Sequence, residues 1–409
     1  MQAIWDDMKL TELPSWMSPA PPNWGTAARG KLTADQWMVV CTVHLPVTLI
    51  RLWGNLSDRR FDLLCNFMDL TSAVQLATQR SITTQMILDH EMLIMRYLEG
   101  MKQLFKGSKV QPIHHAALHA GDFLRLFGPT HAVQAFGGER LLEVLGLQNA
   151  NNKSGMLKLG CESATPHSTV TGEIEATFTT AICRNANLQA VLDREDIPSD
   201  ARLVIDAFTK VSNEDHRGTR LADEIHHPPT RPPKRLELAQ AAYQLLVQLL
   251  NQRSQAINYT TTPGNCWFVP RSVLELEKIS IRGIIYATAK SLPRDSNVIF
   301  RKHGDSMMRV GKITTIFSSS YPGADRLTVK ANFAMIEECF PVMDATLQRT
   351  YQQFGFAGGF LCRSTPSGPT HLVEVGDVIC HFAKTFLGHW GGDEFHALPL
   401  NKVWQPARK

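Results

Sequence analysis

No two of the eight cysteines, at positions 41, 65, 161, 183, 266, 339, 362 and 380, form a CxxC pair. Cysteine spacing therefore supplies no complete zinc site, and scattered single thiols suit the reducing cytosol or nucleus. The opening residues, MQAIWDDMKLTELPSW, are acidic and lack the apolar core of a secretory signal. Nor is any apolar run long enough to span a bilayer. The longest, Trp37 to Trp53, is broken by threonines, His44, Pro46 and Arg51 and is expected to be a buried helix or pair of helices. No membrane partner is expected. An excess of one charge is also missing: the net charge is +4. That permits a nucleic-acid partner without demanding one, since a dedicated DNA-binding domain is usually more basic. No short-period repeat is visible.

What is present is an ordinary globular composition, 44% hydrophobic and 20% charged over 409 residues, enough for two or three domains. Residues 1–31, rich in proline, tryptophan and glycine, predict an extended lead-in. Residues 32–257 carry mainly helical patterns. Thr33 and Gln36 have the spacing of a capping box, and Met86, Leu88, Met92, Leu93, Met95 and Leu98 form an apolar stripe expected to be core. Within this region residues 156–172 interrupt the helical character, and 215–235, with HHPPTRPPKR, reads as a Pro-rich linker. Leu236 to Gln252 predicts a strong helix, with Leu238, Ala242, Leu245, Leu246 and Leu249 on one face. From 258 to 403 short β-like runs dominate: 279–286, 297–301, 312–317, 326–329, 370–375 and 378–382, with short helices expected within Phe333 to Phe354. The expected class is α+β: a mainly helical N-terminal two-thirds followed by a small β-rich barrel.

Several phrases, in order, carry a family resemblance. They are GKLTADQWMVVCTVHLPVTLIRLWG (30–54), HHAALHAGDFLRLFGPTHAVQAFGGERLL (114–142), NANNKSG (149–155), EIEATFTTAICRNANLQAVL (173–192), VGKITTIF (310–317) and VGDVICHFAK (375–384). Together they resemble the proteins of fungal CACTA (En/Spm-like) DNA transposons and the region following the transposase domain in plant CACTA elements. The segment 114–139 is also similar to the end of the catalytic core of the V(D)J recombinase and its Transib relatives. There, paired histidines and a CxxC pair hold zinc, and a later glutamate is the third acid of a DDE triad on an RNase H-like fold. His114 and His119 match the histidines and Glu139 the glutamate. The late β-rich part is expected to be an SH3-like or BAH-like barrel.

Such enzymes need converging carboxylates because two divalent ions, usually Mg²⁺, must activate the attacking oxygen and stabilise the leaving one. No strand-borne aspartate precedes Glu139, and no CxxC is present. The resemblance thus implies the last part of a transposase, inactive alone, working in the nucleus on transposon ends. It would associate with itself or with a full-length transposase. Mg²⁺ would belong to a complete core, and Zn²⁺ would involve His114, His119 and Glu139. By pattern alone Glu139 is a helix N-terminal acid, and the histidines are surface or half-buried side chains, with His115 and His119, at i, i+4, on one helix face. Asp122 reads as a cap or first-turn residue. Gly137 and Gly138 stand where the fungal relatives have Phe-Pro, which loosens the approach to Glu139.

Residues 96–160 hold eight Lys/Arg and four acids, so Arg140 and Lys153 are candidate DNA-backbone contacts, against the plainer reading of a solvated face. Removing residues 156–172 would join Gly155 to Glu173 as in the relatives, so this stretch reads as an insertion or unspliced intron. The rival function is a non-enzymatic DNA- or chromatin-binding module, including one domesticated from a transposon.

Overall fold

In the last third of the chain, six antiparallel strands pair in a closed circle. The computed structural model describes residues 1–130 apart from 28, 80 and 108, residues 225–226, and residues 234–400 apart from 255, 282–283 and 388–392. The circle is made by β7 (Asn297–Phe300), β8 (Arg309–Pro322), β9 (Thr328–Pro341), β10 (Phe360–Glu374), β11 (Val378–Phe386) and β12 (Glu394–Leu400). Strands β7 to β10 follow one another, β12 lies between β10 and β11, and β11 returns to β7. Closure leaves these six strands no free edge where they pair.

Alternation explains the circle's filling. On β11, Cys380 and Phe382 join Ile299, Val310, Cys362, Phe395 and Ala397 in one core. The next residue, Ala383, packs outward with Leu398 and Leu400 against Leu13, Val39, Val43 and Val47. Because both faces of β11 and β12 are covered, their sequences run almost continuously apolar instead of alternating. The closed circle is longer-stranded than the expected barrel, since β8 and β9 reach 14 residues each and extend past the circle. There β8 pairs with β4 (Ser272–Leu276), and β4 with β3 (Lys234–Glu237). A separate three-stranded sheet joins β2 (Ile225–His226), β5 (Lys278–Ile281) and β6 (Ile284–Ala287). Thus the described residues of the expected linker 215–235, which are 225–226 and 234–235, lie in strands.

The first helices are α1 (Gln2–Lys9), α2 (Ala34–Val39), α3 (Leu45–Trp53), α4 (Arg59–Ala77), α5 (Thr84–Leu104), α6 (Pro112–Leu118) and α7 (Ala120–Phe127). One π-helical turn, Val40–His44, joins α2 to α3. The Thr33–Gln36 capping box is present. Residues 1–31 are not a plain extended lead-in. Asp7 on α1 is clamped by Arg51 of α3, and Thr11 and Glu12 form β1, paired with β11. These buried contacts order a segment whose composition looked loose.

The expected core stripe of α5 is corrected in part: Leu98 is core and Leu93 packs beside it, as expected. Leu88, Met92 and Met95 are 47%, 51% and 48% exposed, while Ile87, His90, Ile94, Leu98 and Met101 are buried. The helix is apolar on more than one face, and its seam with α4 runs through His90, whose Nδ1 lies 2.9 Å from the Ala73 carbonyl oxygen.

The predicted helix at Leu236 to Gln252 is α8 (Gln240–Arg253); its first residues are spent on β3. Leu246 and Leu250 bury against Val273, Phe317 and Phe333 of the sheet. Each fully buried leucine contributes about 1.5–3 kcal/mol. Within Phe333 to Phe354 only α9 (Ala345–Gln352) is a helix, since β9 runs to Pro341, and α10 (Gly355–Gly358) follows. Ile50, Leu64 and Met68 of α3 and α4 pack with Leu347 and Tyr351 of α9.

The chain therefore divides elsewhere than at 257/258: residues Met1–His131 and Asp223–Lys409 form one compact unit. The other unit, Ala132–Ala222, lies outside the described residues. The architecture is α+β, helices with a large antiparallel sheet. Among the described residues no helix is long and apolar enough to cross a membrane.

Candidate nucleic-acid interface

The last turn of α5 and the loop after it expose Lys102, Lys106 and Lys109. Ala73, Ile94, Leu98 and Met101 hold α5 against α4, and Arg59 Nη2 donates to the Leu104 carbonyl oxygen at 2.6 Å, fixing where the helix ends. Gly107, at φ +90°, turns the chain in a region that L side chains avoid. None of the three lysines makes an ion pair among the described residues. The other cations nearby are committed: Arg96 pairs with Asp69, and Arg125 with Glu91 at 2.5 Å and Asp122 at 3.2 Å.

Exposed apolar groups occur on the loop after α5 and on α6 and α7. Val110, Ile113 and Phe105 are exposed, as are Phe123 and Phe127, whose rings stack at 6.0 Å and 27° on α7. Ammonium groups with no carboxylate partner among the described residues offer charge for phosphates, and exposed aromatic rings offer π-faces for bases.

The histidines lie at the same corner. Pro112 starts α6, where its missing N–H is no loss. His114 Nδ1 accepts the Gln111 backbone N–H at 3.1 Å, so that nitrogen caps the helix. His119 is five residues on, roughly 140° around the helix from His114. The ring that meets His119 is that of His115, edge-on at 4.9 Å between centroids. His119 Nδ1 also stands 3.7 Å from Asp122 Oδ2, in the first turn of α7. The structure thus brings 115 and 119 together, not 114 and 119. Structural zinc takes about four ligands, and the described residues contain no group of three or more His, Cys, Asp or Glu placed to share a metal. A zinc site here would draw its remaining ligands from elsewhere. Glu139, Arg140 and Lys153 lie outside the described residues.

Sequence reasoning missed one polar cluster. Glu338 on β9 accepts from Arg309 Nη1 at 2.9 Å and lies 2.6 Å from His371 Nε2, while Arg309 also reaches Asp305 at 3.0 Å. Burial holds the His371 pKa below its usual value, with the Glu338 hydrogen bond opposing. No local motif announces this group, because the register of β8, β9 and β10 assembles it. Comparison with family models, with curated proteins and with solved structures finds no match to the chain.

Proposed function

We propose that this chain is a transposon-derived DNA-binding protein, the C-terminal segment of a DDE-type transposase that does not cut DNA alone. The observation that supports it most directly is the exposed trio Lys102, Lys106 and Lys109, none of which pairs with a carboxylate among the described residues. In this reading the first helices are the tail of an RNase H-like core, and the closed sheet is an SH3- or BAH-like interaction domain. The protein works in the nucleus on transposon ends, with itself or with a full-length transposase. Mg²⁺ belongs to a complete core containing Glu139, and Arg140 and Lys153 add backbone contacts. His114 and His119 would contribute to a zinc site only with ligands beyond the described residues.

A second reading, a non-enzymatic DNA- or chromatin-binding module, is favoured by the filled interior of the closed sheet, packed with Ile299, Phe382 and Phe395.

The test is duplex DNA binding by fluorescence anisotropy over a salt series of roughly 50 to 200 mM. Each lysine lost from a phosphate contact lowers the log–log salt slope by about one, so K102A/K106A/K109A should lower it by about three. An unchanged slope, or no binding at low salt, defeats the reading. Nicking by this chain alone with Mg²⁺ defeats the claim of inactivity and the second reading.

A further inference from the structure

The closed circle of strands turns one lysine inward. On β11, Lys384 shares the face of Cys380 and Phe382, which fill the interior, and it stands opposite Ala397 of the same core. The side chain is half-buried. Its Nζ lies 4.4 Å from the centroid of the Phe395 ring and 4.6 Å from that of Phe386. Aromatic faces attract an ammonium group, so the two rings fix where the nitrogen sits.

No carboxylate balances this amine. Glu12 of β1 is paired with Lys384 in register, yet among the described residues no carboxylate oxygen reaches ion-pair distance of its Nζ. The groups that act on it from the other strands are two thiols and a second lysine: Cys339 on β9, Cys362 on β10 and Lys312 on β8. Around the circle β9 is three strands from β11 in either direction, so Cys339 approaches from the opposite wall.

Burial pushes the Cys339 thiol up to about 11 and the Cys362 thiol well above its usual value. At neutral pH both sulfurs are therefore uncharged and offer the ammonium no counter-charge. Burial is the main reason that the Lys384 pKa stands below the usual lysine value. The like charge of Lys312 adds to it, while Glu12 opposes, as would a Cys339 thiolate. Desolvation and a neighbouring cation are two ways in which a lysine becomes a nucleophile. Ile299, Phe382 and Phe395 fill the interior, so only a small partner reaches the nitrogen.

We propose that Lys384 is an aldehyde-reactive site: its amine, held over Phe386 and Phe395 inside the closed sheet, forms a reversible imine with a small aldehyde. The Nζ lone pair attacks the carbonyl carbon, and the protons of the amine pass to the carbonyl oxygen. That oxygen leaves as water, the C=N bond replaces C=O, and nothing is oxidised or reduced. The site is separate from the lysine face of α5 and stands or falls independently of DNA binding.

The experiment treats the folded full chain with limiting acetaldehyde and cyanoborohydride at neutral pH. Hydride traps each imine as an ethyl-lysine, and peptide mass mapping ranks the lysines. Lys384 should react at least about threefold faster than the exposed Lys102, and its rate should rise at lower pH. In denaturing urea that preference should vanish. Lys312→Glu, at an exposed position, should slow Lys384 about twofold with the thermal midpoint unchanged, because an anion there favours the ammonium. Three results would overturn the proposal: a folded-state rate no greater than that of Lys102, a preference that survives urea, or an equal rate in Lys312→Glu.

Discussion

Ser15 and Asp295, 280 residues apart in sequence, are joined twice: the Ser15 backbone N–H donates to Oδ1 and its hydroxyl to Oδ2, each at 2.6 Å. Asp295 is fully buried, so these donors stand in for water around its carboxylate. Beside them Trp16 Nε1 donates to His381 Nδ1 at 3.2 Å, and His381 stacks flat on Tyr286, 4.2 Å between centroids. Hydrogen bonds to charged groups contribute about 1.5–3 kcal/mol each. Asp295→Ala should therefore cost about 3–5 kcal/mol in urea unfolding, and Ser15→Ala, which keeps the backbone bond, about 1–2 kcal/mol. A wild-type midpoint in Asp295→Ala would show that residues 11–17 are not anchored here.

Two buried histidines make stability depend on pH. Among the described residues His44, in the π-helical turn, has no partner at either ring nitrogen and His396 has none at Nδ1, while His396 Nε2 donates to the Gly358 carbonyl oxygen at 2.7 Å. Burial pushes each pKa down to about 4, because a charged imidazolium would lose its hydration. The fold thus holds the neutral form. Above about pH 6.5 neither histidine penalises folding. As pH falls from there toward about 4 the unfolded chain takes up protons that the folded chain refuses, and stability drops by up to about 3 kcal/mol per histidine. Urea unfolding at a series of pH values should show this decline, and His44→Leu should shrink it. A flat profile would contradict the burial of both rings.

The Asp7–Arg51 pair is nearly buried, with Nε and Nη2 within 3.2 Å of the carboxylate. Removing one partner strands the other charge, so Asp7→Ala should cost about 3–5 kcal/mol. Asp7→Leu with Arg51→Met should recover much of that loss. Double-mutant denaturation measures the difference, and additive losses would argue against a buried pair.

Legibility followed sequence distance. The capping box of Thr33 and Gln36, the helix at 240–253 and strands such as Val378–Phe386 are local, so propensity and periodicity predicted them. Features made by distant partners were hidden. Residues 1–31 read as loose because the partner of Asp7 is Arg51 and that of Ser15 is Asp295. Of the expected stripe of α5, Leu98 lies in the seam and Leu93 packs against it, whereas Leu88, Met92 and Met95 are exposed, because they are as apolar as Ile87 and Ile94, which the seam uses. At the candidate interface the lysine excess was visible in the sequence, but which cations stay unpaired depended on Asp69 and Glu91. The contact of His115 with His119 was legible from their i, i+4 spacing, whereas the 114/119 match came from the motif alone.

Thr11 and Thr385, 374 residues apart, share a hydrogen bond at 2.9 Å where β1 lies on β11. This closure sets a timetable for biogenesis. At about 5–20 residues per second of synthesis, the first helices leave the ribosome tens of seconds before the strands that will cover Leu13, Val43 and Val47. During that wait those side chains lack the cover that Ala383, Leu398 and Leu400 give them in the folded chain.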